Sequence, residues 1–335
     1  MKLVLSQEQR ELRAAVRDFL AAASPPGKAR QGYDPQVYAR LNGELGLSGL
    51  IVGEEYGGAG AGFAELAVAL EETGAVLLPG PFLATVFATI ALTRAPDKEL
   101  LSGIAEGRLS ATLAGDGVTA GGDGLTGTLP RVLSGMEADV LLVTAGSGLY
   151  AVDLTGPGVT RTPLDTLDIT RGQAGIVLDG APGRLLGEPG DEVADLVAVA
   201  LAAEQLGVMR AALDAIVAYA KIRVAFGRYI GSYQGVKHKL ADMHGKLEQA
   251  ESIVRYAAWA ADEAADELPG AAALAQAYVG RACFEVARDH LLLYGGIGYT
   301  WEHDAHLYFK RAKTDEVLLG PPRIHRARIA ELLEL

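Results

Sequence analysis

Near Ser110 the chain stops reading as helix and begins to read as short strands, and near Asp191 it turns back. Upstream, residues 6–22 open on Ser6, an N-cap type, and carry Glu8 and Glu11 in the first turns. Leu12, Val16, Phe19 and Leu20 then recur at helical spacing. Pro25-Pro-Gly27 breaks that helix. Further helices are expected over 35–45, 63–75 and 82–106, with Pro79-Gly-Pro81 between the last two. Past Ser110, four runs bounded by Gly, Asp and Pro read as strands: 111–114, 140–144, 148–152 and 175–178. Beyond Asp191, Leu206, Met209, Leu213, Ile216 and Tyr219 restore spacings of three and four. This order predicts an α+β chain with segregated layers. The expected blocks are an N-terminal helical domain over 1–109, a middle β-domain (barrel- or sandwich-like) over 110–188, and a C-terminal helical bundle over 189–335.

Composition narrows the function. Half of the 335 residues are hydrophobic while few are aromatic, as in closely packed helices. A formal net charge of −12 argues against non-specific nucleic-acid binding, which needs a basic surface. The single cysteine, Cys283, cannot form an internal disulfide and is expected to fill core space. No cysteine or histidine spacing reads as a metal site. The N-terminus turns charged at Glu8-Gln-Arg-Glu11, so no leader is expected, and no apolar run is expected to span a bilayer. The expected location is the cytoplasm.

Two segments carry the functional signal. Tyr294-Gly-Gly-Ile-Gly-Tyr-Thr-Trp-Glu-His303 sets glycines, which allow close backbone approach, between strongly helical stretches. Arg223-Val-Ala-Phe-Gly-Arg-Tyr-Ile-Gly-Ser-Tyr-Gln234 lies upstream. An arginine, a glutamine and a glycine gap together could hold a long anionic cofactor. Taken singly, the glycines also read as an interhelical turn, and Phe226-Gly227 as core plus a helix end.

Together these segments resemble the acyl-CoA dehydrogenase family of flavoproteins. The similarity extends to Glu54-Glu-Tyr-Gly-Gly-Ala-Gly60, Thr166-Leu-Asp-Ile-Thr-Arg171 and Lys237-His-Lys-Leu-Ala-Asp-Met243. The resemblance implies helical, β and four-helix-bundle domains in that order. It also implies FAD as cofactor, an acyl-CoA substrate undergoing α,β-dehydrogenation, and an electron-transfer flavoprotein as acceptor. On this basis Arg223 pairs with the FAD pyrophosphate, Phe226 packs beside the adenosine half and Gln234 hydrogen-bonds nearby. Backbone around Leu292, Tyr294, Gly295 and Gly296 lines the dinucleotide. In the family these groups reach a flavin held mainly by a neighbouring subunit.

The family's catalytic glutamate has no counterpart. Alignment through Lys313 places Leu319 at its usual position, and the second known position falls on Val197, or on Ala198 with a slip of one residue. Glu204 lies seven residues beyond Val197, about 10.5 Å along a helix axis. Glu316 comes nearly a turn before Leu319. The β-domain segment Thr112-Leu-Ala-Gly-Asp-Gly-Val-Thr119 lacks the acid, proline and serine that hold the flavin ring in relatives. This pattern resembles the shorter subunit of actinobacterial heteromeric acyl-CoA dehydrogenases, including those acting on steroid side chains. In those heterotetramers a longer acyl-CoA dehydrogenase subunit supplies the base. The catalytic residue of this chain is therefore left unassigned. The alternatives are a self-sufficient homo-oligomer using Glu204 as a displaced base, and a non-catalytic scaffold.

Overall fold

A computed structural model describes residues 3–335. Met1 and Lys2, part of the stretch read as carrying no leader, lie outside the described residues. Five helices come first: α1 (Gln7–Ala23), α2 (Pro35–Leu45), α3 (Phe63–Ala75), α4 (Phe82–Arg94) and α5 (Lys98–Ala105). Ser6 caps α1 as expected, but its reciprocal partner is Gln9: Gln9 N–H donates to Ser6 Oγ, and Ser6 N–H to Gln9 Oε1. The single helix expected over 82–106 is two helices. Pro96 interrupts it, and Asp97 caps the second piece by accepting from Leu100 N–H at 3.0 Å.

Eight strands follow: β1 (Ala111–Ala114), β2 (Val118–Gly121), β3 (Gly124–Leu133), β4 (Val140–Ala145), β5 (Gly148–Asp153), β6 (Val159–Pro163), β7 (Gln173–Ala181) and β8 (Arg184–Gly187). They form two four-stranded sheets, ordered β1-β4-β5-β8 and β2-β3-β7-β6. Among the described residues only β1 and β4 pair in parallel, with Ala111 opposite Val140. Alternate residues of both sheets face one core. Leu141, Val143 and Val152 of the first meet Leu125, Leu129, Ile176 and Leu178 of the second, so the domain is a sandwich.

The C-terminal block comprises α6 (Val193–Ile222), a short hairpin of β9 (Val224–Ala225) and β10 (Arg228–Tyr229), α7 (Gln234–Glu263), α8 (Leu268–Tyr294), α9 (Ala305–Leu318) and α10 (Pro322–Leu332). Cross-helix polar contacts tie α6 to each bundle neighbour. Gln276 Nε2 on α8 donates to Ala198 O, Arg210 pairs with Glu251 on α7, and Arg311 on α9 pairs with Glu204. The expectation that no apolar run would reach bilayer length needs correction. Helix α6 is long and apolar enough by length and composition, but 89% of its most apolar stretch is buried inside the protein. It is apolar all round because the other helices surround it.

The chain separates into two compact units. One comprises residues 30–66 and 79–197; the other takes the residues up to Ala29 together with 67–78 and 198–335. Within the latter, α3 and α6 touch backbone to backbone. A Cβ on Gly207 would be driven into the carbonyl oxygen of Glu71, and one on Gly74 into that of Glu204. In the same unit, Glu71 is 1% exposed and gathers three guanidinium groups from three helices. Arg13 reaches it at 2.6 Å and Arg210 at 3.6 Å, and Arg255 joins them. Neighbouring Glu72 binds Arg17 at 2.8 Å.

Candidate functional site

Helix α6 ends where the first functional segment begins. The Arg223 N–H still donates to Tyr219 O at 2.9 Å, and the Arg223 carbonyl then accepts from Ile230 N–H at 2.8 Å, closing the hairpin. Arg223 is exposed, and no carboxylate pairs with its guanidinium among the described residues. The hairpin loop is Phe226-Gly227, with φ of 50° and 80°. Positive φ at both loop positions is the left-handed pair that matches strand twist, usually built from Asn-Gly. A bulky side chain there costs about 1–3 kcal/mol. Phe226 is nevertheless 97% exposed, so burial within this chain returns nothing for that strain. Gln234, also exposed, is the first residue of α7.

The second segment begins where α8 ends at Tyr294. Gly295 follows with φ 67° and ψ −149°, a conformation open only to glycine, and turns the chain into a tight helical loop through Tyr299. Added carbons on Gly295 and Gly296 would meet no atom within 4 Å, so this backbone lies open to a ligand. Leu292 is half exposed. Tyr294 turns inward: its hydroxyl donates to Ala215 O at 3.1 Å and its ring lies 4.5 Å from that of Tyr219. The ring of His290 stands edge-on to Tyr294 at 5.0 Å. Burial, then the neighbouring His303, pushes its pKa down to about 3, which keeps this imidazole neutral.

Tyr219 therefore joins the two segments, since its carbonyl receives Arg223 and its ring receives Tyr294. Arg223, Phe226 and Gln234 share the hairpin, and Leu292, Tyr294, Gly295 and Gly296 share the end of α8. No hydrogen bond among the described residues joins the two sets directly. Around them Ile222, Val224, Tyr229, Ile297, Tyr299 and Trp301 are each at least half exposed. A free cation, open glycine backbone and unburied aromatic surface suit a ligand with phosphates and planar rings.

None of Leu319, Val197, Glu204 and Glu316 offers a free carboxylate. Leu319 caps the end of α9, and its carbonyl lies 3.1 Å from His325 Nε2. Val197 is 6% exposed and aliphatic. Glu204 is 1% exposed and lies 3.5 Å from the fully buried Arg311, which also donates to Leu77 O. Glu316 is held by Lys313 at 2.7 Å and Arg281 at 3.4 Å. In the β-domain, the hydroxyl of Thr112 points inward and donates to Leu133 O at 2.6 Å.

Sequence reasoning missed Tyr233, whose hydroxyl donates to Ala225 O at 2.9 Å beneath the Phe226 loop. It also missed the Tyr219–Tyr294 ring contact. No pattern in either segment flags a tyrosine as a structural tie.

Two family profiles match this chain: "Acyl-CoA dehydrogenase, N-terminal domain" over residues 6–100 and "Acyl-CoA dehydrogenase, C-terminal domain" over residues 195–333. Acyl-CoA dehydrogenase IpdE2 of Mycolicibacterium smegmatis is 36% identical over 97% of this chain and 98% of its own length. The chain belongs to the acyl-CoA dehydrogenase family. Among solved structures, a variant of the Tcur3481-Tcur3483 steroid ACAD superposes with TM-score 0.90 at 31% identity, covering 98% of each chain. The ChsE4-ChsE5 complex from Mycobacterium tuberculosis gives TM-score 0.92 at 28% identity, over 100% of this chain and 99% of that one. The family's cofactor is FAD, and the surface described above fits it. Unpaired Arg223 meets the demand of a pyrophosphate, and the open Gly295-Gly296 backbone that of close approach.

Proposed function

We propose that this chain is the shorter subunit of a heteromeric acyl-CoA dehydrogenase, probed best by what it lacks. The observation that carries the reading is the aliphatic Leu319 at the base position, with Glu204 and Glu316 both committed to cations. A longer acyl-CoA dehydrogenase subunit supplies the base, and the two chain types share one flavin site in a heterotetramer. The ChsE4-ChsE5 and Tcur3481-Tcur3483 relatives, each named as a pair of chains, support this assembly.

FAD when bound supplies the two-electron oxidising chemistry of α,β-dehydrogenation. This chain's own residues bind and orient. Arg223 pairs with the pyrophosphate through its planar fork. Phe226 lies against the adenosine half, Gln234 hydrogen-bonds beside it, and backbone from Leu292 to Gly296, including Tyr294 and Gly295, lines the dinucleotide. On this reading residues 1–109, 110–188 and 189–335 serve as the N-terminal, middle and C-terminal domains. The complex works in the cytoplasm and hands its electrons to an electron-transfer flavoprotein. Its substrate is an acyl-CoA, of which a bulky polycyclic acyl group such as a steroid side chain is the example the named steroid relative supports.

Expressed alone, the chain should purify without flavin absorbance and without dehydrogenase activity. Co-expressed with a longer family member bearing the glutamate, it should yield a yellow, active complex. An isolated preparation with stoichiometric flavin and enzyme-like turnover overturns the proposal. Within the complex, Arg223→Ala should weaken FAD binding roughly 10- to 100-fold, the range for losing a charge-assisted hydrogen bond. Flavin-fluorescence titration checks it, and an unchanged affinity removes Arg223 from the site.

A further inference from the structure

We infer that Tyr233 is the positioning residue of the hairpin: it holds the Phe226-Gly227 loop in the left-handed turn that presents the Phe226 ring outward. The flavin role given to that ring rests on the function proposed above. The geometry of the turn does not.

The hairpin needs outside support. Its ladder has only two residue pairs, Ala225 with Arg228 and Val224 with Tyr229, and so short a ribbon is marginal on its own. The loop adds strain, because Phe226 adopts a positive φ that its side chain disfavours. Its ring finds no burial within the chain to offset this. Strain at an exposed aromatic tip points to function when a neighbouring group is placed to sustain it.

Tyr233 is that group, and it acts through both ends of its side chain. Its hydroxyl donates to Ala225 O at 2.9 Å and lies 3.4 Å from Phe226 O, the carbonyls entering and inside the turn. Its ring lies under the Arg228 guanidinium, 3.8 Å from centroid to Cζ, a cation–π contact that fixes the returning strand. Tyr233 is itself anchored. Its N–H donates to Ile230 O at 3.2 Å, and its carbonyl accepts from Lys237 N–H at 3.0 Å, as the N-cap residue of α7. One residue thus connects a rigid 30-residue helix to both strands of the hairpin and to the loop between them. Phenylalanine could carry Arg228 but not the carbonyls; only the phenol does both.

The test uses the co-expressed complex with three variants. Tyr233→Phe keeps the ring and removes the hydroxyl. Phe226→Asn removes the flavin-facing ring but favours the left-handed turn. The third combines the two. Amide hydrogen exchange over 224–229 reads the turn, and titration of the deflavinated complex with FAD reads the presentation. Tyr233→Phe should raise exchange and the FAD Kd together, each roughly 3- to 10-fold, as expected for losing one neutral hydrogen bond. Phe226→Asn should stay protected while losing FAD affinity, and the double variant should recover protection without recovering affinity. Unchanged exchange in Tyr233→Phe overturns the inference. Faster exchange with an unchanged FAD Kd also overturns it, since the turn would then be held without consequence for the ligand. A wild-type complex that takes up no FAD while its hairpin exchanges slowly rejects the functional reading instead, and the flavin role of Tyr233 with it.

Discussion

Glu71→Ala is expected to destabilise the protein by about 3–5 kcal/mol, the usual cost of removing one partner from a buried charge cluster. Glu71 is 1% exposed and is the common acceptor for Arg13, Arg210 and Arg255, which come from α1, α6 and α7. Arg255 is itself 7% exposed, so without Glu71 its guanidinium keeps only the contact to Glu251 at 3.3 Å. The loss is therefore an uncompensated interior charge as well as a missing bond. Urea denaturation of the folded chain measures it. A midpoint indistinguishable from wild type would remove the cluster from any account of stability. Acid should act on the same cluster. Burial pushes the Glu251 carboxyl up, but Arg210 and Arg255 outweigh that and hold it below its ordinary value of about 4.5. Its folded-state pKa thus lies below the unfolded one. The stability it contributes is complete at neutral pH and is lost as pH falls below about 4.5 through the folded value.

Gly207→Ala should cost about 3 kcal/mol or more, at the upper end of overpacking effects. The added carbon would collide with backbone, the Glu71 carbonyl of α3, which cannot rotate away as a side chain could. The two helices must separate, and in separating they would move the carboxylate that three arginines share. Gly74→Ala presents the mirror case, with the carbonyl of Glu204 as the obstacle. Thermal midpoints of both variants test this, and shifts within about one degree would mean that the helices can part at little cost.

Much of the architecture was legible because local rules decided it. Predicted strands at 111–114, 140–144, 148–152 and 175–178 all fall within observed strands, since each is an apolar run between breakers. Helices 35–45 and 63–75 have the predicted bounds for the same reason. Strands β2, β3, β6 and β8 were not foreseen. Gly124, Gly127 and Pro130 make β3 read as turn, yet its register shifts absorb Pro130 beside β7. The long helix expected over 82–106 overlooked Pro96, and α6 shows that a core helix can match a membrane span in composition.

The candidate site was legible only as two separate segments. That Leu319 cannot accept a proton follows from its identity. The fates of Glu204 and Glu316 required knowing that Arg311, Lys313 and Arg281 reach them across helices. Nothing in the sequence marks Glu71 and Glu72 on α3 as paired acids, because their counterions stand far away in sequence. The sequence gives Tyr233 no distinguishing mark; its importance lies in where its hydroxyl points.

The Glu71 hub also sets an order of events on the ribosome. Arg13 is synthesised before this carboxylate, but Arg210 and Arg255 emerge only after the whole β-sandwich has left the exit tunnel. Until then the nascent N-terminal helices carry an acid with one of its three counterions, and no way to seal it from water. The sandwich is free to mature first, while α1 and α3 must wait for the tail of the chain. A chain ending before α7 would lack Arg255, and one ending before α6 would lack Arg210 as well.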